Sequence, residues 1–209
     1  MICRIVALDT TAEYGSIALV ENGVTVEEVE LHAPDGFGHI LFQHLQRLME
    51  RHGWRYEMVT GFAAAAGPGS FTGVRIGLAA VKGLAEAAGA RAAAVSTLRA
   101  MASFGTAALR APVLDARRGE VYGALYRADL ELVGAETVGP LDRWLAGLPE
   151  GAEILSPTPE LAGGRMVTQT PRALAAAVGR LAKPALTDPA ALDANYIRRS
   201  DAELFWKEA

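Results

Sequence analysis

GPGSFTGVRIGLAAVKGLAEAAGA (residues 67–90) opens as a turn and continues as a helix. Gly67-Pro68-Gly69 supplies the turn, because proline fixes one φ angle and glycine reaches φ > 0 values that other residues resist. Ser70 or Thr72 can then cap a helix by accepting a bond from a free backbone N–H. Val74, Gly77, Leu78, Val81, Leu84, Ala85 and Ala88 recur at helical spacing. Gly73, Gly77 and Gly83 inside that helix each cost about 1 kcal/mol against alanine. Close approach is the compensating gain: a face of small residues can press against a sheet, another helix or a ligand. Packing within the chain and contact with a second protein both meet that need.

Working outward, Ile2 to Leu8 reads as a buried strand that ends in Asp9-Thr10-Thr11. Ser16 to Val20 and Val24 to Leu31 are two further strands joined by an Asn22-Gly23 hairpin turn. His39 to His52 is an amphipathic helix with Ile40, Leu41, Leu45, Leu48 and Met49 on its apolar side. Val59 to Ala66 is a strand of small residues and leads into the glycine turn. Ala92 to Val95 is a fifth strand, and Ser96-Thr97 caps a short helix to Ser103. The order βββαβαβα over residues 1–104 is an antiparallel meander followed by right-handed crossovers. This is the layout of one lobe of the two-lobed actin-like (ASKHA, ribonuclease H-like) α/β fold. A reduced second lobe is expected over residues 105–209. There Val113 to Ala116, Glu120 to Arg127 and Leu130 to Val138 read as strands. Leu141 to Leu145 is a short helix, Ala152 to Leu155 a short strand, and Arg172 to Leu181 a helix. The ending, from Asp188, begins as a capped turn and continues amphipathically, a candidate to pack back on the first lobe.

The 209 residues fit one large domain or two small lobes and need no disulfide staples. Hydrophobic residues make up 51% of the chain and mean hydropathy is +0.18, much of it alanine. No stretch is long and apolar enough to span a bilayer. MICRIVALDTT lacks the features of a signal peptide, and the single Cys3 fits a reducing cytoplasm. Net charge is −4 with scattered basic residues. A chain that grips nucleic acid alone usually carries a basic stripe, so any RNA contact is expected to depend on a partner.

The motifs exclude several chemistries. The glycines of residues 67–73 stand at the wrong offsets for a dinucleotide fingerprint, and Pro68 removes an N–H that a phosphate would use. Lys82 sits inside a helix, so no Walker A loop is present. A backbone anion site at the helix start stays open. Asp9 sits where an actin-like kinase would place a metal- or phosphate-handling carboxylate; the plainer reading is a capped turn ending a buried strand. His39 and His44 are five residues apart, not the four that would bring two ligands to one helix face. Ser70 lacks a nucleophile elbow. Asp115, Arg117, Arg118 and Glu120 gather about one turn, as a local ion-pair network or as a contact on a cleft rim.

IVALDTT, GSIALVENG, GPGSFTGVRIGLAAVKGLA, AVSTLRAMA and VLDARRGEVYGALY together resemble the bacterial TsaB (YeaZ) family. The resemblance covers the first lobe and the opening of the second, with ANYIRRSDAELFWK a looser match. It implies a two-lobed actin-like fold with a cut-down second lobe. It also implies a non-catalytic partner of TsaD, the subunit that transfers a threonylcarbamoyl group to the adenosine beside the tRNA anticodon. A TsaE-like ATPase joins the pair. ATP and a divalent metal are expected on the partner subunits, and none on this chain alone. TsaD holds its metal through paired histidines on a helix, a site that His39 and His44 do not reproduce. The family motif here is Asp9, Thr10, Thr11, Gly67, Pro68, Gly69, Ser70, Phe71, Thr72, Gly73 and Arg75. Because the first two helices of each partner pack together in such pairs, Leu41, Leu45, Leu48, Gly73, Val74, Gly77, Leu78 and Val81 are the expected interface. The same face could form a homodimer when TsaD is missing. An actin-like small-molecule kinase is the alternative, and a glycoprotease-like metallopeptidase a weaker one.

Overall fold

A computed structural model describes residues 2–198. Strands β1 (Arg4–Asp9), β2 (Tyr14–Glu21) and β3 (Val24–His32) form an antiparallel meander. Strands β4 (Gly61–Ala65) and β5 (Arg91–Val95) join in parallel on the far side of β1, giving the order β3-β2-β1-β4-β5. Side chains alternate between the two faces, and the alternation sorts them by size. Val6, Leu8, Ile17, Leu19 and Phe62 point to a face covered by α1 (Leu41–Arg51) and α2 (Phe71–Ala88). Ala7, Ala18, Ala63, Ala65 and Ala93 lie on the opposite face with Ile5, Val20 and Val95.

That alanine-rich face is covered by α3 (Thr97–Ala102) and by α5 (Ala175–Ala182), which arrives late in the chain. α5 can lie close because both surfaces are shaved. A Cβ added at Gly179 would fall 2.6 Å from Val20 Cγ2 and 3.1 Å from Ala7 Cβ. Residues that follow the second sheet in sequence therefore complete the core of the first.

The second sheet comprises β6 (Leu109–Asp115), β7 (Glu120–Gly123), β8 (Tyr126–Arg127), β9 (Thr137–Pro140), β10 (Glu153–Ser156) and β11 (Val167–Gln169). Its order is β11-β10-β6-β7-β9, with β8 paired to β6. One short helix, α4 (Leu141–Ala146), helps cover a small core of Val113, Val121, Leu145, Ile154 and Ala162.

Three expectations for this lobe are corrected. Leu130 to Val138 is not a strand: Leu130 has φ 66° and Gly134 φ 83°, and only Leu132 bridges to Tyr126 before β9 begins at Thr137. The expected strand 120–127 is broken after Gly123, which lies against the Trp144 ring so closely that an added Cβ would stand 2.1 Å from Nε1. The helix expected from Arg172 begins only at Ala175. Of the expected ending, residues 189–191 form a 3₁₀ turn, and everything beyond residue 198 lies outside the described residues.

Candidate functional site

The loop after β1 and the glycine turn before α2 interlock. The Ser70 N–H donates to Thr11 O at 2.6 Å, and the Thr10 hydroxyl donates to Gly73 O at 2.7 Å. Ser70 is the N-cap of α2, its hydroxyl accepting from the Gly73 N–H at 3.2 Å. The glycines make this approach feasible. A Cβ at Gly73 would sit 1.9 Å from Thr10 O, one at Gly69 2.5 Å from Thr11 O, and one at Gly77 2.6 Å from Thr10 Oγ1. These three glycines are explained by the chain's own Thr10–Thr11 turn, backbone at Gly69 and Gly73 and the Thr10 side chain at Gly77.

Asp9 is 1% exposed. One of its carboxylate oxygens accepts from the Thr11 N–H at 3.0 Å and the Thr11 hydroxyl at 2.7 Å. The Leu174 N–H also donates to it. Burial pushes the Asp9 carboxyl above its ordinary range, against these bonds, and nearby Glu28 pushes it further in the same direction. The neighbouring N–H groups at the start of α5 are met the same way. Ala175 N–H donates to Ser16 Oγ at 2.9 Å, and Ala176 N–H to Glu28 Oε1 at 2.9 Å. Asp9, Ser16 and Glu28 thus serve as caps for a helix that returns from the other end of the chain. The capped turn read from Asp9-Thr10-Thr11 is what the structure contains, and its acceptor is engaged in holding the fold.

Between the two sheets lies a cleft of about 480 Å³, lined by Asp9, Thr11, Gly69, Ser70, Asp115, Arg117, Arg172 and Arg198 among others. Asp115 Oδ1 accepts from the Arg117 N–H at 2.7 Å, in a turn where Arg117 and Arg118 have φ 65° and 58°. Glu120 pairs with Arg198, so its ion-pair partner comes from outside the turn. His39 is exposed in a 3₁₀ turn and His44 is half-buried on α1, the two elements being separated at Ile40.

The expected partner residues point the other way. Leu41, Leu45, Leu48, Val74, Leu78 and Val81 are buried in the chain's own core, and Gly73 and Gly77 face Thr10. In the folded chain these residues serve its own core, because the apolar stripe of an amphipathic helix faces its own sheet. The solvent side of α2 carries Arg75, Ala79, Gly83 and Ala87. Among the described residues, a Cβ at Gly83 would have nothing within 4 Å. Phe71, at the start of α2, is 40% exposed and lies beneath the Arg75 guanidinium and beside the Tyr196 ring. The sequence signal for this face was present as Gly83 flanked four residues away on each side by alanine.

Two sheets flanking a cleft, each opened by a run of antiparallel strands, with the second lobe cut down, define the two-lobed actin-like α/β class. A family model described as TsaD, tRNA N6-adenosine threonylcarbamoyltransferase, matches residues 33–175. The chain is 38% identical over 132 residues to the tRNA threonylcarbamoyladenosine biosynthesis protein TsaB of Escherichia coli (strain K12), covering 60% of this chain and 56% of that one. It is 32% identical over 151 residues to the protein of the same name in Bacillus subtilis (strain 168), covering 70% of this chain and 66% of that one. The matched region thus spans just over half the length of the first relative and about two thirds of the second. The solved structure of YeaZ from Pseudomonas aeruginosa superposes with a TM-score of 0.76 at 28% identity, over 93% of this chain and 99% of that chain. The chain belongs to the TsaB (YeaZ) family.

Proposed function

We propose that this chain is a non-catalytic subunit in tRNA threonylcarbamoylation, required by a TsaD-type transferase that itself acts on the adenosine beside the anticodon. The observation that carries this reading is the outer stripe of α2. Gly83 costs about 1 kcal/mol of helix stability, and no neighbour among the described residues occupies the space it leaves. With Ala79 and Ala87 it makes a run of exposed small residues at four-residue spacing. A partner helix laid against such a run can approach to about 8–10 Å between axes. Exposed Phe42 on α1, with Phe71 and Arg75 at the start of α2, supplies the aromatic and arginine side chains that anchor protein interfaces.

In this reading the chain holds no cofactor alone. ATP and a divalent metal belong to the partner subunits, a TsaE-like ATPase joins the pair, and tRNA is reached only through the complex. The net charge of −4 suits a subunit that leaves phosphate contacts to others. No helix among the described residues is long and apolar enough to cross a membrane, and the work belongs in the cytoplasm. The outer face of α2 could also pair two copies of this chain when TsaD is absent.

Gel filtration with the cognate TsaD-type protein tests the proposal. Wild type should co-elute with it, and Gly83→Leu should elute alone while melting at or above the wild-type temperature. Failure of wild type to form any complex, with tRNA modification unaffected by its depletion, would overturn the reading.

A further inference from the structure

Two-lobed proteins commonly close about a hinge, and relative motion is the default unless the lobes are firmly joined. Here one carboxylate joins them. Glu136, in the segment leading to β9, accepts through Oε1 from the Ser96 hydroxyl at 2.5 Å and from the Tyr126 hydroxyl at 2.5 Å. Through Oε2 it accepts from Asn195 Nδ2 at 2.5 Å. The three donors come from three separate parts of the chain. Ser96 is the N-cap of α3 on the first lobe, Tyr126 is in β8 of the second, and Asn195 is in the C-terminal segment.

That segment is a strap with an attachment on each side of the cleft. On the first lobe, the Asn195 N–H donates to Ala66 O at 2.8 Å, and its side-chain amide also reaches Gly67 O at 3.4 Å. Arg75 Nε donates to the Tyr196 hydroxyl at 2.9 Å. On the second lobe, Arg198 Nη1 donates to Ala116 O at 2.6 Å and Nη2 pairs with Glu120. Tyr126 is itself 2% exposed and packs in the same apolar cluster as Leu98 and Met101 of α3. The network is half-buried around the buried Tyr126, and polar networks whose members are all satisfied rigidify what they join.

We propose that Glu136 is a clasp which, with the strap at residues 195–198, locks the two lobes at one angle, so that the cleft does not open and close. The molecule is then a fixed scaffold, and the clasp also sets where Tyr196 meets Phe71 and Arg75. Glu136 acts through position and touches no reacting atom. The proposal holds whether or not the chain pairs with a TsaD-type protein.

The bonding pattern gives a specific test. In Glu136→Gln, one oxygen still accepts from Ser96 and Tyr126, but the new NH₂ faces the NH₂ of Asn195. Adding Asn195→Asp restores an acceptor opposite it. Spin labels at Arg47→Cys and Asp142→Cys, in a Cys3→Ser background of the full chain, report the distance between the lobes. The otherwise unmodified clasp should give one narrow distance. Glu136→Gln should broaden it and speed hydrogen exchange at the Asn195 amide at least about tenfold, as loss of one charge-assisted bond implies. The double variant Glu136→Gln with Asn195→Asp should return both to the narrow, protected state. A broad distance in the starting protein, no change in Glu136→Gln, or broadening that the second substitution does not reverse would each overturn the clasp. Should Glu136→Gln fail to fold, Asn195→Ala, which removes only the strap's donor, should loosen the Tyr196 amide with little change in melting temperature; unchanged exchange there would also overturn it.

Discussion

Gly73 and Gly83 lie in the same helix and answer to different neighbours. Gly73→Ala would drive a methyl into the Thr10 carbonyl, a contact at 1.9 Å that backbone cannot yield to cheaply. It should cost about 3 kcal/mol or more in urea denaturation. Gly83→Ala meets nothing among the described residues and should stabilise the isolated chain by roughly 1 kcal/mol from helix propensity. Equal losses at the two positions would contradict this account. Asp9 gives a prediction of a different kind. Its carboxyl is raised in the folded chain, chiefly by burial. From the unfolded value up to the folded one, the folded chain keeps a proton that the unfolded chain has lost. Stability therefore falls as pH rises through that window, and the full penalty stands above it. Asp9→Asn removes the penalty, so the variant's unfolding free energy relative to wild type should improve from about pH 4 upward. A difference flat in pH would show that the buried carboxyl is not perturbed.

α5 depends on acceptors it does not carry. Its first N–H groups are satisfied by Asp9, Ser16 and Glu28 from the first sheet. Ser16→Ala should cost about 0.5–2 kcal/mol, the range for losing a helix cap, and should speed hydrogen exchange in α5 before it does so in α2. Uniform loss of protection would argue that the cap is incidental. The elements legible in the sequence are those whose signals are local. β1 and β4 follow from short buried runs, β3 from alternation, Asn22-Gly23 marks the hairpin, and Ser70 and Ser96 mark the helix starts where they occur. The second lobe was harder because its strands are short and bend where side chains from elsewhere intrude, as Trp144 does at Gly123. Val167–Gln169, a three-residue edge strand, has no periodicity to read. Hydrophobic spacing finds whichever stripe is buried, and in a lone chain that is the inner one, so the outer face of α2 carries no such signal. What alanine spacing could not reveal is which sheet α5 covers, since that depends on residues more than 150 positions away, such as Ser16 and Ala175.

The whole molecule carries net negative charge, and its arginines are largely committed. Arg198 pairs with Glu120, Arg75 lies over Phe71, and Arg172 lies over Tyr14. The isolated chain should leave tRNA unshifted in a native gel at about 0.15 M salt, where weak phosphate contacts are screened. Retardation that weakens steeply with salt would mean that it grips RNA directly. A last consequence concerns how this chain is made. The alanine-rich face of the first sheet stays only partly covered, by α3 alone, until residue 182 has left the ribosome, because α5 is the rest of its cover. A nascent chain that has completed five strands still shows half its core to water, where chaperones and neighbouring chains can reach it. The first hundred residues, though they read as a lobe, are then an unfinished product: released early, they should aggregate, and full solubility should arrive only when the distant helix is supplied, even as a separate peptide.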